Sequence, residues 1–277
     1  MRLISADKIK DAVSELCIEA NIKLRPDVLS ALKKAYRSEK KSRARDIISA
    51  IINNAQIAKR KSLAICQDTG YPAVFLEVGD GLCIKGDLRK AVNKGVEQGY
   101  KNGYLRSSIV PDPIKRGKPG YSPAIIHVEP VKGSRLKITV LPKGFGCENK
   151  TQLKMFNPTT NLKEIADFVV QAVNYAGPDA CPPYVVGVGI GATADYACLL
   201  AKKALLRKLT VNGQRSTAKL ERDLLKRINK LNIGPMGLGG KNTVLAVHIN
   251  THPTHISGLP VAVSISCHAL RSAIRIL

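Results

Sequence analysis

Apolar residues recur at helical spacing through residues 1–60. Ile9, Ala12, Val13, Leu16 and Cys17 share one face of the stretch 6–20, because residues three and four apart stack along an α-helix. Pro26 suits the first turn of a second helix reaching about Arg37, where its missing N–H has no partner to lose. Ile47, Ile48, Ile51, Ile52 and Ala55 mark a third helix over roughly 43–60.

The pattern then shortens to strand length. AVFLEV (73–78) is an apolar run bounded by the turn ICQDTGYP (65–72), and GDLRKAVNKGVEQGYK is helical again. Residues 105–121, LRSSIVPDPIKRGKPGY, form a long polar loop, a kind of segment that often carries function. SPAIIHVEP and SRLKITVLP read as two strands forming a hairpin across VKGS, followed by the glycine turn KGFGCENK. LKEIADFVVQAVNYAG is an amphipathic helix stopping at Gly177. After CPP come the strand YVVGVGI and the helix TADYACLLAKKALLRKL. Leu220, Leu224, Leu225, Ile228 and Leu231 mark one more helix. NIGPMGLGG, the strand TVLAVHI, the loop NTHPTHISG, the strand LPVAVSIS and a short polar tail complete the chain. The expectation is a mixed α/β fold without repeats. It is one continuous domain over 1–277, mostly helical over 1–60 and cluster-binding α/β over 61–277.

Composition narrows the class. Hydrophobic residues are 44% of 277, ordinary for a globular protein. No apolar run approaches the roughly 20 residues that span a bilayer, and the N-terminus has no apolar signal core. These readings predict a soluble cytoplasmic protein without a membrane partner. Lys and Arg number 44 against 21 Asp and Glu, a net +23. Such charge fits nucleic-acid binding, a field attracting anionic substrates, or a solvated basic surface. The basic residues are dispersed over helical faces such as Lys33–Arg45 and Lys202–Lys230, and aromatics are 4% with no Trp. Stacking platforms for single strands are therefore poor, and nucleic acid is the lesser reading.

Seven cysteines are present, and no C-x-x-C occurs, which argues against a disulfide framework or a zinc ribbon. Cys17 and Cys198 fall on apolar helical faces, where a thiol packs as a small hydrophobe. Nothing distinguishes Cys83. Cys66, Cys181 and Cys267 each sit at an element boundary, where thiolates from distant parts of the chain can converge. Three thiolates on a cubane that normally takes four leave one iron open, a Lewis acid for hydroxyl and carboxylate oxygens. Gln67 and Asp68, beside Cys66, stand where they could orient a substrate.

CQDTG, GCENK after a glycine turn, CPPYVVGVGIGATAD, GPMGLGGKNT and PTHISGLPVAV followed by SC, in this order over about 6–275, resemble the α part of the class I iron–sulfur fumarate hydratases and L-tartrate dehydratases. The resemblance implies a [4Fe-4S] cluster held by Cys66, Cys181 and Cys267 with one open iron. It implies reversible hydration of a dicarboxylate, first fumarate to (S)-malate and alternatively L-tartrate to oxaloacetate. Gln67 and Asp68 match polar active-site residues. Arg106 of LRSS matches a carboxylate-binding arginine, His255 of PTHISG an active-site histidine, and Gly146 a substrate-contacting backbone segment. Asp68 and His255 are thus the catalytic candidates, and Gln67, Arg106 and Gly146 the substrate-binding ones. The chain departs from the pattern at Phe145, at Cys147 where serine is usual, and at Pro235. Single-chain members continue into a β part that this sequence lacks, which implies a separate β subunit as partner.

Other readings stand beside these. His255 with His248 and His252 suggests zinc, but no thiolate lies at a standard spacing. Arg106 could be one solvated cation among 44. GVGIGA (187–192) fits a dinucleotide fingerprint but lacks the later acidic residue, so close helix–strand packing explains its glycines more simply. NIGPMGLGG could cradle an anion on backbone N–H groups or be only a flexible loop. A non-catalytic cluster protein and a basic nucleic-acid-binding protein are the competing classes.

Overall fold

A computed structural model describes residues 2–209 and 216–277. Part of the basic stretch 202–230 therefore lies outside the described residues. In chain order the elements are β1 (Arg2–Ser5), α1 (Ala6–Ile22), α2 (Pro26–Ser38), α3 (Ser42–Lys61), β2 (Tyr71–Gly79), β3 (Leu82–Lys85), α4 (Leu88–Asn102), β4 (Ile125–Val131), β5 (Leu136–Lys143), α5 (Phe145–Glu148), β6 (Gln152–Phe156), α6 (Leu162–Ala176), β7 (Tyr184–Ala192), α7 (Ala194–Ala204), α8 (Ala218–Asn229), β8 (Val244–Thr254), β9 (Leu259–Ser266) and β10 (Ala273–Ile276). The fold is mixed α/β with several sheets, as the periodicity predicts. No helix among the described residues is long and apolar enough to cross a membrane.

The chain forms two compact units. One comprises Met1–Arg25, Ala55–Phe145 and Arg271–Leu277; the other comprises Pro26–Asn54 and Gly146–Leu270.

In the first unit a four-stranded sheet runs β10-β5-β2-β4. β2 is parallel to β4 and antiparallel to β5, and β10 is antiparallel to β5. The two strands on either side of VKGS therefore do not form a hairpin. β2 is buried along most of its length and takes both as neighbours, since a central strand must pair along both edges. The polar tail is also a strand, β10, whose exposed Ile274 and Ile276 alternate with Ala273 and Arg275. The Ile9, Ala12, Val13, Leu16 and Cys17 face of α1 is fully covered. Against it lies α4, where Gly95 and Gly99 give contact at backbone distance: a Cβ on either would stand 2.5 Å from a carbonyl oxygen of α1.

The second unit repeats the scheme with unrelated residues. Its sheet runs β6-β9-β7-β8, with β7 parallel to β8 and antiparallel to β9, and β6 antiparallel to β9. In each sheet a central strand, β2 or β7, is followed by a helical crossover to a parallel neighbour, and the next strand returns on its other side. GVGIGA is the second half of β7 itself rather than a turn after it. A Cβ on Gly187 or Gly189 would lie 2.1 or 2.0 Å from the carbonyl oxygen of Ala201 or Ala197 in α7. The glycines let the helix lie on the strand, which is the packing reading.

The glycine-rich stretch before β8 is tied in place. The N–H groups of Met236, Gly239, Gly240 and Lys241 bond to Pro182 O, Ile233 O, Asn232 Oδ1 and Glu39 Oε2 at 2.8–3.2 Å. Those of Gly237 and Leu238 bond to Gly234 O and Pro235 O. These donors are spent inside the protein, so the anion-cradle reading fails, and the stretch instead supports the turn that follows Cys181.

Candidate active site

In each unit the candidate residues other than His255 lie at the same end of the unit's own sheet: the N-terminal end of a central strand and the C-terminal end of its antiparallel neighbour. In the first unit the turn ICQDTGYP leads into β2. The Asp68 carboxylate closes it. One oxygen accepts Gly70 N–H at 2.9 Å, and the other accepts Phe145 N–H, just past β5, at 2.8 Å. Arg271, buried to 4% exposure, donates to the Asp68 carbonyl. The Tyr100 hydroxyl lies 2.9 Å from Thr69 O and 3.1 Å from Gly70 O, and burial pushes its phenol well above the ordinary range. Neither Arg271 nor Tyr100 was among the sequence candidates. Arg271 stands in the tail beyond the last motif, and Tyr100 is hidden in a helical face.

Arg106 is delivered to this turn by backbone. Its N–H donates to Thr69 Oγ1 at 3.1 Å, and that hydroxyl lies 3.4 Å from Arg106 O. The long polar loop then folds back on itself, with bridges Ile109–Gly120 and Asp112–Arg116. Together they enclose a cleft of about 590 Å³ whose walls include Asp68, Arg106, Ser107, Ser108, Arg116 and Phe145. That volume falls in the range of small-molecule sites, roughly 300–1,000 Å³. Gln67 is exposed beside the cleft-lining Asp68, and the Cys66 thiol lies 3.5 Å from Gln67 Oε1.

In the second unit Cys181 enters β7 and Cys267 leaves β9. Their segments meet where His268 N–H donates to Cys181 O at 3.3 Å. Cys181 has φ +57°, a left-handed conformation uncommon outside glycine. The Cys147 thiol donates to Ala180 O at 3.3 Å and is buried. This is a bond that serine would also make, which accounts for the replacement there. Gly146 is exposed, with room for a Cβ 3.9 Å from Asp179 O.

His255 lies elsewhere in this unit. It sits in the turn between β8 and β9, where its Nδ1 accepts Ser257 N–H at 3.1 Å. The eight residues of β9 separate that turn from Cys267, a span of roughly 26 Å at strand rise. His252 packs edge-on to Tyr196, and His248 is buried with Nδ1 3.2 Å from Ala204 O. Among the described residues no group of three His, Cys, Asp or Glu side chains is assembled to hold a metal ion, neither at the histidines nor at Cys66, Cys181 and Cys267.

The remaining cysteines sort by environment. Burial pushes the Cys17 thiol up to about 12 and raises that of Cys198, as expected of packing residues. Cys66, Cys181 and Cys267 are half-buried at strand ends. Partly accessible thiols on loops are the donor chemistry an iron–sulfur cluster takes. Two of these donors lie in the second unit and one in the first.

Comparison with known proteins decides the family. The fumarate hydratase (fumerase) family model matches residues 10–275. The chain belongs to this hydro-lyase family. It is 40% identical over 277 residues to a Methanocaldococcus jannaschii protein bearing the provisional name L(+)-tartrate dehydratase subunit alpha, covering 97% of each chain. It is 30% identical over 272 residues to the L(+)-tartrate dehydratase subunit alpha of Escherichia coli strain K12, covering 96% of this chain and 90% of that one. The family is iron–sulfur dependent in general, which agrees with the thiol set.

Proposed function

We propose that the chain is the α subunit of a heteromeric iron–sulfur hydro-lyase acting on a four-carbon dicarboxylate, completed by a β subunit. The observation that carries this reading is the cleft of the first unit, where Arg106 is bonded through Thr69 to the turn bearing Cys66, Gln67 and Asp68. Fumarate hydration to (S)-malate is the first reaction to expect. Dehydration of L-tartrate to oxaloacetate is the second, favoured by the names of the two relatives. A cytoplasmic location follows from the same reading.

Cys66, Cys181 and Cys267 would hold the [4Fe-4S] cluster, which when bound supplies Lewis acidity that weakens the C–O bond of a 2-hydroxy acid. The guanidinium of Arg106 presents a planar pair of N–H donors that fits a carboxylate bidentately. Asp68 keeps the turn and the Phe145 backbone in one arrangement, so that Gln67 and Arg106 face the substrate without reorganising. The Gln67 amide offers both a donor and an acceptor to the substrate's oxygens. Gly146 leaves its backbone open to a ligand. His255 remains the second catalytic candidate, and within its own unit it stands at the other end of β9 from Cys267.

The test is anaerobic assay of the chain assembled with its β-type partner, on fumarate, (S)-malate and L-tartrate, with Arg106→Met and Cys181→Ala as controls. Turnover of one dicarboxylate is expected. Arg106→Met should raise KM at least tenfold, and Cys181→Ala should lose bound iron and sulfide. An assembled, iron-loaded complex that turns over none of the three would overturn the reading.

A further inference from the structure

The cleft holds a second arginine that no motif singled out. Arg116 lines it together with Arg106. Its place is set by backbone pairing: Asp112 N–H donates to Arg116 O at 3.3 Å, and Arg116 N–H donates to Asp112 O at 2.9 Å. Asp112 Oδ1 also accepts the N–H groups of Ile114 and Lys115 at 2.7 and 2.6 Å. Arg116 takes φ +68°, an uncommon conformation for a residue with a Cβ. The loop is thus a small closed structure that presents one guanidinium from its returning arm.

Charge in the cleft is unbalanced. Neither Arg106 nor Arg116 makes an ion pair among the described residues. The only carboxylate in the lining is Asp68, and both its oxygens already accept backbone N–H groups. Two arginines lining one cleft place like charges there, and a bound anion offsets them. A monoanion paired with Arg106 would leave Arg116 unmatched, whereas a ligand with a carboxylate at each end matches both. Ser107 and Ser108 line the same cleft; the Ser108 hydroxyl donates to Arg106 O at 3.4 Å and keeps its acceptor capacity for a ligand hydroxyl.

We infer that Arg116 is the second carboxylate clamp of this chain and sets its preference for dianionic over monoanionic substrates. This rests on the dicarboxylate reading of the cleft and adds to it. The β subunit then need not supply every contact to the substrate's far end.

Equilibrium dialysis of the reconstituted full chain against labelled fumarate and its monoamide, fumaramate, tests it. The wild-type chain should bind fumarate at least tenfold more tightly than fumaramate. Arg116→Met should bring fumarate to the fumaramate level and leave fumaramate unchanged, while Arg116→Lys restores part of the difference. The loop is exposed, so the variants should melt with the wild type. If wild type binds fumarate, Arg106→Met loses it and Arg116→Met keeps the full preference, the inference fails and the proposed function stands. If the wild-type chain binds neither compound, the inference fails, while the proposed function is decided separately by turnover in the complex with the β-type partner.

Discussion

Asp68 illustrates how one side chain serves geometry before chemistry. Its two oxygens bind N–H groups 75 residues apart in sequence, those of Gly70 and Phe145. An amide in its place keeps one acceptor and sets an NH2 group against the other donor. Asp68→Asn should therefore destabilise the chain by about 1–3 kcal/mol, the cost of an unsatisfied N–H, as read from urea unfolding. In the assembled enzyme the same variant should lower kcat through misplacement of Gln67 and Arg106. Unchanged stability together with unchanged turnover would remove Asp68 from both roles. Arg271 donates to the Asp68 carbonyl of the same turn, which offsets part of the desolvation of its buried guanidinium, while its Nε has no hydrogen-bond partner among the described residues.

At the scale of elements, Glu39 ties the end of α2 to the glycine-rich stretch before β8. Burial opposes its ionisation. Hydrogen bonds from the Asn242 amide and from the N–H groups of Lys41, Lys40 and Lys241 outweigh that and hold its carboxyl below the usual range. A carboxyl lowered in the folded state contributes stability above its unfolded value of 4.5, and that contribution is lost as pH falls through the folded value. Glu39→Gln should cost about 2 kcal/mol at pH 7, as expected for hydrogen bonds to a charged group. Thermal melts should show this difference between variant and wild type shrinking below pH 4.5. A difference constant with pH would mean that shape rather than charge holds the junction. The same stretch binds Pro182 O through Met236 N–H at 2.8 Å, so the junction extends to the turn carrying Cys181.

For the molecule as a whole, a net charge of +23 is self-repelling. Most ion pairs among the described residues are partly exposed and contribute little. Raising salt from 0.01 M to 0.1 M shortens the screening length from about 30 Å to about 10 Å, so the melting temperature should rise over that range. A fall would show that net attraction among surface charges dominates. The amphipathic faces of α1, α3, α6 and α8 could be read directly, because helical period repeats within a few residues. The pairing of β4 and β5 could not. The turn VKGS looks like a hairpin locally, and only the demand of β2 for two partners sends those strands to opposite sides. β6 and β10 give no clear local signal, because edge strands are short and half polar.

The sequence by itself determined the helices other than the one-turn α5, most of the strands, the mixed α/β class and the motifs that mark the family, since each is written in local period or local order. It also pointed to Cys66, Gln67, Asp68 and Arg106. The tertiary structure decided what those residues share. Thr69 and Arg106 are bonded across 37 positions, Arg116 comes into the same cleft on a closed loop, and His255 falls at the far end of its sheet from Cys267. Contacts between residues far apart in sequence depend on strand order and chain direction, and no local pattern encodes either.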